Sequence, residues 1–163
     1  MDLNTVEEKI FRFLDSNDAK YEVFEHPAVY TCEVMARLLK TNENSIAKSM
    51  IVKNSDEAYL LAVLPGGMRV DFHRLARIIE VKSVLLAPIK EAELIAGCSV
   101  GCVHPFGNLI NIPTHFDKNL FRSEHVFFNP GSHTKSVKMS TKDLEKLTKP
   151  KMSEFAVSCI SVC

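Results

Sequence analysis

Lys48 stands in Ser45-Ile46-Ala47-Lys48-Ser49-Met50-Ile51-Val52, where a polar segment turns into a strongly apolar run. A lysine at such a boundary either snorkels to solvent along its aliphatic stem or offers a compact ammonium with three donors to a phosphate or carboxylate. The second segment with chemical capacity is Gly97-Cys98-Ser99-Val100-Gly101-Cys102-Val103-His104-Pro105-Phe106-Gly107-Asn108. Its glycines and proline permit an unusual backbone path, and N–H groups exposed along it could hold an oxyanion. Such segments also serve simply as turns.

Cys98, Cys102 and His104 raise the question of zinc. Their spacing makes no Cys-x2-Cys knuckle and no second Cys/His pair completes a tetrahedral set, so no metal is expected. Cys102 and His104, at i and i+2, would project to one side of an extended segment and could act as nucleophile and base. No acid nearby in sequence would orient that histidine. Phe127-Phe128-Asn129-Pro130-Gly131-Ser132-His133 reads as a strand entering a turn, whose polar groups either line a pocket mouth or face solvent.

These groups need a scaffold, and the apolar periodicity supplies one. Val6, Ile10, Phe13 and Leu14 predict an amphipathic first helix, with Asn4 and Glu7 at capping-box spacing. A short strand is expected at Tyr21–Glu25, then a helix capped by Thr31 and carrying Val34, Met35, Leu38 and Leu39. Ser49–Lys53 and Ala58–Leu64, joined by polar residues 54–57, read as an antiparallel hairpin followed by a Pro65-Gly66-Gly67 turn. Asp71 caps a third helix. Further strands are expected at Ser83–Ala87, Leu109–Ile112, His125–Phe128 and Ser136–Met139, with helices at Lys90–Ala96 and from Ser140 to just before Pro150. Residues 152–163 read as a tail or an added strand. Helices and strands mix without βαβ alternation, which predicts one α+β domain over residues 1–163 with a mostly antiparallel, curled sheet and helices outside.

Composition fits. The 163 residues are 46% apolar and 25% charged, proportions that exclude a disordered chain. No apolar run approaches the ~20 residues that span a bilayer, so no membrane partner is expected. Five cysteines, Cys32, Cys98, Cys102, Cys159 and Cys163, are odd in number and irregularly spaced, which predicts reduced thiols and a cytoplasmic location. Net charge is zero, yet Lys135, Lys138, Lys142, Lys146, Lys149 and Lys151 crowd one segment against Asp143 and Glu145. That segment is either a solvated helical face or a polyanion contact.

Taken together, these segments resemble the YbaK and prolyl-tRNA synthetase editing-domain family, in order, from about residue 20 to residue 148, with 149–163 as a C-terminal tail. The resemblance rests on His26-Pro27-Ala28-Val29-Tyr30-Thr31 with Glu33 and Ala36, on Ile46-Ala47-Lys48-Ser49, and on Val63-Leu64-Pro65-Gly66 with Arg69-Val70-Asp71. It continues through Gly101–Gly107, which fits a GxxxP loop, and closes on Asn129-Pro130-Gly131-Ser132 and the Ser140, Leu144, Leu147 helix. It implies a barrel-like curled mixed sheet and hydrolysis of the ester joining a wrong amino acid to tRNA, with neither metal nor organic cofactor.

The resemblance further implies that Lys48 and Gly101 carry activity. Thr31, Cys102, Val103, His104, Pro105, Phe106, Asn129, Gly131, Ser132 and His133 would line the substrate pocket. The partner implied is the aminoacylated 3′ end of tRNA, with an aminoacyl-tRNA synthetase as a possible second. His104 stands where small hydroxyl residues are frequent in relatives, Cys102 adds a thiol, and His133 resembles a pocket histidine of some synthetase-linked members; a pocket narrowed by such residues should favour alanine, cysteine or serine, for example on tRNA-Pro. Two other readings stand beside this one. The chain is a non-catalytic relative that binds aminoacyl-tRNA or a synthetase, or a cysteine-dependent hydrolase acting through Cys102.

Overall fold

The computed structural model of the chain describes residues 5–159. Helix α1 (Val6–Ser16) opens on a reciprocal capping box between Thr5 and Glu8, one residue along from the expected pair. Asn4 lies outside the described residues. Ile10 and Leu14, one turn apart, are the buried stripe of this helix. Strand β1 (Tyr21–Glu25) leads to α2 (Cys32–Leu39), where the Thr31 hydroxyl accepts from the Val34 amide at 3.2 Å. Lys40, in the left-handed region at φ 55°, ends it.

The hairpin forms as read: β2 (Ala47–Asn54) pairs antiparallel with β3 (Tyr59–Pro65), Lys48 opposite Leu64. After the glycine turn comes β4 (Met68–Val70), then α3 (Phe72–Ile78), whose cap Asp71 accepts from the Arg74 amide. Next are β5 (Val84–Leu86) and α4 (Ile89–Ala96), ended by Gly97 at φ 72°. The chain then runs through β6 (Thr114–Asp117), β7 (His125–Phe128), β8 (Lys135–Ser140), α5 (Thr141–Thr148), β9 (Lys151–Ser153) and β10 (Ala156–Ser158). Of the two readings left open for the last residues, strands are what form at 151–153 and 156–158; residues 160–163 lie outside the described part.

One strand is displaced. Leu109–Ile112, expected as a strand, is instead the end of a 3-10 turn at Gly107–Leu109 and the bend after it. The amides of Ile110 and Ile112 both donate to the Gly107 carbonyl, curling the apolar run on itself. Pairing begins only past Pro113, whose carbonyl accepts from the Leu61 amide at 2.8 Å.

The strands divide into three sheets, ordered β1-β8-β7, β10-β4 and β5-β2-β3-β6-β9. Five of the seven pairings are antiparallel, and β3-β6 and β6-β9 are parallel. The architecture is thus α+β with mixed, mostly antiparallel sheets, while the ladders among the described residues show no barrel closure. Ile46 and Phe127 form a lone parallel bridge between the largest sheet and the three-stranded one.

Central β3 is buried on both faces, which explains its unbroken apolar sequence. Leu61 and Val63 pack with Ile51, Phe106, Phe116 and Phe128 on one side, with α1 closing that layer through Ile10 and Leu14. Leu60, Ala62 and Leu64 pack with Val52, Leu75 of α3 and Phe155 on the other. A third, smaller cluster of Val29, Met35, Ala36, Ile46 and Phe127 seats α2 beside the bridge.

Candidate functional site

β5 covers the outer edge of β2 only from Val52 to Asn54. Ahead of that cover a cleft of ≈ 230 Å³ lies along β2, walled by the start of α2, by residues 46–50, by the loop after α4, and by Asn129 just past β7. Lys48 and Gly101, the two residues expected to carry activity, both line it, as do Thr31, Val103 and Asn129. The walls are otherwise largely apolar, with Val29, Met35, Ile46 and Val100. Few polar groups on an apolar wall is the usual composition of a small-ligand site.

Lys48 is half-buried, and its Nζ donates to the Gly66 carbonyl at 3.4 Å and to the Met68 carbonyl. Both acceptors flank the turn between β3 and β4, so the hairpin that contains the lysine also sets the position of its tip. Gly66 has no room for a side chain: a Cβ would meet the Cys32 Cβ at 2.7 Å and the Glu43 carbonyl at 2.8 Å. The turn is thereby pressed against α2, and the Cys32 thiol comes within the field of Lys48. Burial pushes that thiol up, the Lys48 charge pulls it part of the way back, and Glu43 raises it.

The loop after α4 contains a 3-10 turn, Val100–Cys102, in which the Cys102 amide donates to the Ser99 carbonyl at 3.0 Å. Gly101 and Val100 before it are exposed, while Cys102 and Val103, the two residues after it, turn inward and are buried. A Cβ on Gly101 would lie 3.1 Å from Cε1 of His133, so the loop is packed directly on that ring. The His133 ring is fixed at both nitrogens: Nδ1 lies 3.0 Å from the Val29 carbonyl and Nε2 lies 3.4 Å from the Cys102 sulfur. The carbonyl can only accept, so Nδ1 carries a proton and Nε2 faces the thiol. Cys102 and His133 thus stand behind the cleft wall and do not line it.

The remaining expected residues are not brought to the cleft. His104 is 1% exposed and lines a separate cavity of ≈ 320 Å³ beside α1 and α4. Its Nδ1 accepts from the Phe106 amide at 3.1 Å, and burial pushes its pKa down to about 4. The pairing of Cys102 with His104 does not form: Cys102 ends the 3-10 turn with its thiol against His133, while His104 Nδ1 is taken by the Phe106 amide. Phe106 belongs to the core, edge-on to Phe13 and Phe128, and Pro105 beside it is buried. Gly131, at φ 84°, packs against Val6 of α1, and the Ser132 hydroxyl pairs with that of Thr134 at 3.0 Å.

Ser49 and Tyr30 are among the residues of the cleft that were not expected as site residues. Ser49 lines it and is 8% exposed, yet its Oγ has no hydrogen-bond partner among the described residues. A buried hydroxyl left unpaired costs about 1–3 kcal/mol, which a polar ligand atom would relieve. Tyr30 lines the cleft as well, is 71% exposed, and packs on the His133 ring with centroids 4.6 Å apart. Neighbouring Lys48 and Thr31 were the signals available; nothing in the sequence says that an adjacent side chain of opposite parity on β2 reaches the same cleft.

Among the lysines of the 133–151 segment, Lys135 pairs with Glu7 and Lys138 sits 5.7 Å over the Phe127 ring. Lys142, Lys146, Lys149 and Lys151 are exposed. No helix among the described residues is long and apolar enough to cross a membrane.

Fold and cleft together define an α+β domain with a small, largely apolar cleft at the open edge of its main sheet. Comparison with known sequences supplies the family. The model of the aminoacyl-tRNA editing domain matches residues 26–147, and the chain belongs to that family, whose members include aminoacyl-tRNA deacylases. The chain is 28% identical over 152 residues to the multifunctional Ser/Thr-tRNA deacylase ProXp-y of Escherichia coli strain K12, covering 91% of both. It is 27% identical over 147 residues to the prolyl-tRNA editing protein ProX of Acetoanaerobium sticklandii, covering 87% of this chain and 90% of that one. In three dimensions it matches the crystal structure of a hypothetical protein with a TM-score of 0.85 at 22% identity, over 92% of this chain and 100% of the other. That likeness speaks for the fold.

Proposed function

We propose that this protein is a trans-editing hydrolase that removes a small amino acid, alanine, serine or cysteine, from a mischarged tRNA such as tRNA-Pro. The observation that carries the proposal is the convergence of Lys48 and Gly101 on one cleft. At ≈ 230 Å³ the cleft is smaller than the ~300 Å³ at which drug-sized ligand pockets begin, so it suits an aminoacyl group and leaves the nucleotide at its mouth.

Each group then has a task. Two donors of the Lys48 ammonium engage the carbonyls of Gly66 and Met68, and the third goes to the terminal phosphate. Tyr30, exposed at the mouth, offers a face on which the terminal base stacks, a contact worth about 1–3 kcal/mol. Ser49 Oγ pairs with a polar atom of the aminoacyl group. Water attacks the ester carbonyl carbon, the Gly101 amide receives the developing oxyanion, and the ribose oxygen leaves, giving free amino acid and uncharged tRNA. A ribose hydroxyl of the substrate orients the water, so no covalent enzyme intermediate forms. The amide of Cys102, next along, is already engaged by Ser99, which is why the role falls to Gly101.

Purified protein incubated with alanyl-, seryl-, cysteinyl- and prolyl-tRNA is expected to release the small amino acids with multiple turnovers, and Lys48→Ala is expected to slow this about 100-fold. Stoichiometric protection of the ester without turnover would instead establish a binding protein, with the exposed lysines of 142–151 as its contact.

A further inference from the structure

The thiol–imidazole pair behind the cleft wall is not used by the hydrolysis above, and it has a second thiol beside it. Cys98 Sγ donates to the Cys102 carbonyl at 3.6 Å, and Cys102 Sγ lies 3.4 Å from His133 Nε2. His133 is held from the far side by Nδ1 on the Val29 carbonyl, while the Val29 amide donates back to the His133 carbonyl at 3.0 Å. A thiol facing a fixed imidazole nitrogen, with a neighbouring thiol one loop turn away, is the arrangement of an attacking and a resolving cysteine.

We propose that Cys98 and Cys102 form a peroxide-oxidisable thiol pair, with His133 as the base that generates the Cys102 thiolate. In the first step Nε2 of His133 takes the Cys102 proton and the sulfur attacks one peroxide oxygen. The O–O bond breaks, leaving a sulfenic acid on Cys102 and, after proton return, one water. In the second step the Cys98 sulfur attacks the Cys102 sulfur, forming the S–S bond and breaking the S–O bond, and the Cys98 thiol proton joins the departing hydroxide as a second water. The two thiols lose two electrons, and hydrogen peroxide takes them up.

The electrostatics suit this order. A side-chain hydrogen bond from Cys98 brings the Cys102 pKa down to about 7, helped by the His133 charge and opposed by burial. Cys98, as the donor in that bond and itself shielded, is raised. Near pH 7 about half of Cys102 is therefore thiolate while Cys98 stays a thiol, the state that attack and resolution require. The disulfide would staple the loop carrying Val100 and Gly101 and take the sulfur off His133. The inference does not depend on the hydrolase reading, because its test reads the thiols and not the ester.

Wild-type protein is treated with dilute hydrogen peroxide, free thiols are blocked with iodoacetamide, and non-reduced peptides are mapped by mass spectrometry. A Cys98–Cys102 disulfide, reversed by dithiothreitol, is expected to form before the exposed Cys159 is modified. In Cys98→Ser the Cys102 sulfenic acid should persist and be trapped by dimedone. His133→Gln should slow oxidation of Cys102 about tenfold while leaving Cys159 unchanged. Cys102 remaining alkylatable after Cys159 has oxidised, or dimedone failing to label Cys102 in folded Cys98→Ser, overturns the proposal.

Discussion

Nζ of Lys48 donates to the carbonyl oxygen of Gly66 at 3.4 Å, across the hairpin that the two residues share. The same ammonium reaches the Met68 carbonyl, so its place is set by backbone atoms on the far side of a turn that cannot accept a side chain. Lysine suits this seat, since its compact ammonium carries three donors that rotate freely, whereas a guanidinium is larger and holds its donors in a fixed planar fork.

Lys48→Ala is accordingly expected to lower kcat/KM for deacylation about 100-fold, the scale of one lost electrostatic contact to a reacting ester. Lys48→Arg should not restore it. Single-turnover deacylation, with thermal melts to show that both variants fold, checks this; near-wild-type rates in Lys48→Ala would remove the residue from the mechanism.

Gly101→Ala tests the loop. The new Cβ would lie 3.1 Å from Cε1 of His133, and the ring cannot yield because both its nitrogens are engaged. The loop must shift instead, and with it the amide at the cleft. Deacylation should fall about tenfold by misplacement, with about 1 kcal/mol lost from stability by urea unfolding. An unchanged rate would mean that the amide takes no part.

The buried His104 makes stability depend on pH. Its folded pKa is about 4, below the 6.5 of an unperturbed histidine, so the unfolded chain binds the proton first. Its contribution is complete above pH 6.5 and is lost as pH falls from 6.5 towards 4, amounting to about 3 kcal/mol. Protonation at Nδ1 would also cost the acceptor for the Phe106 amide. His115, lowered by burial and by Lys151, acts in the same direction. Urea midpoints between pH 4.5 and 7.5 should show a shallower slope in His104→Asn than in the wild type.

Asp117 ties the last strands to the main sheet. Its Oδ2 accepts from the Phe155 amide at 2.9 Å and the Ala156 amide at 2.7 Å, and its Oδ1 accepts from the Asn119 amide. Both Phe155 and Asp117 are fully buried. Asp117→Ala leaves these amides unpaired and should destabilise the protein by about 3 kcal/mol, read by urea unfolding. Asp117→Asn should recover part of that, since its Oδ1 can still accept.

Much of the scaffold was legible because local chemistry dictates it. Thr31, Asp71 and Ser140 cap the helices they were expected to cap, since a side-chain oxygen bonds an amide three residues on whatever surrounds it. The β2-β3 hairpin follows from two apolar runs and the polar residues between them. Leu109–Ile112 misled for the opposite reason: its apolar residues anchor a coil on the Gly107 carbonyl, and apolar content alone does not separate the two.

The sequence by itself determined the helix caps, the hairpin, the family through motifs in register, and Lys48 and Gly101 as one candidate pair. Only the tertiary structure decided that His104 is core, that Cys102 meets His133 thirty-one residues away, and that Ser49 and Tyr30 belong to the cleft. Caps and hairpins are set within a few residues and can be read locally. Which histidine faces which thiol depends on how the loop after α4 packs against the turn after β7, and that contact exists only once the sheets are assembled.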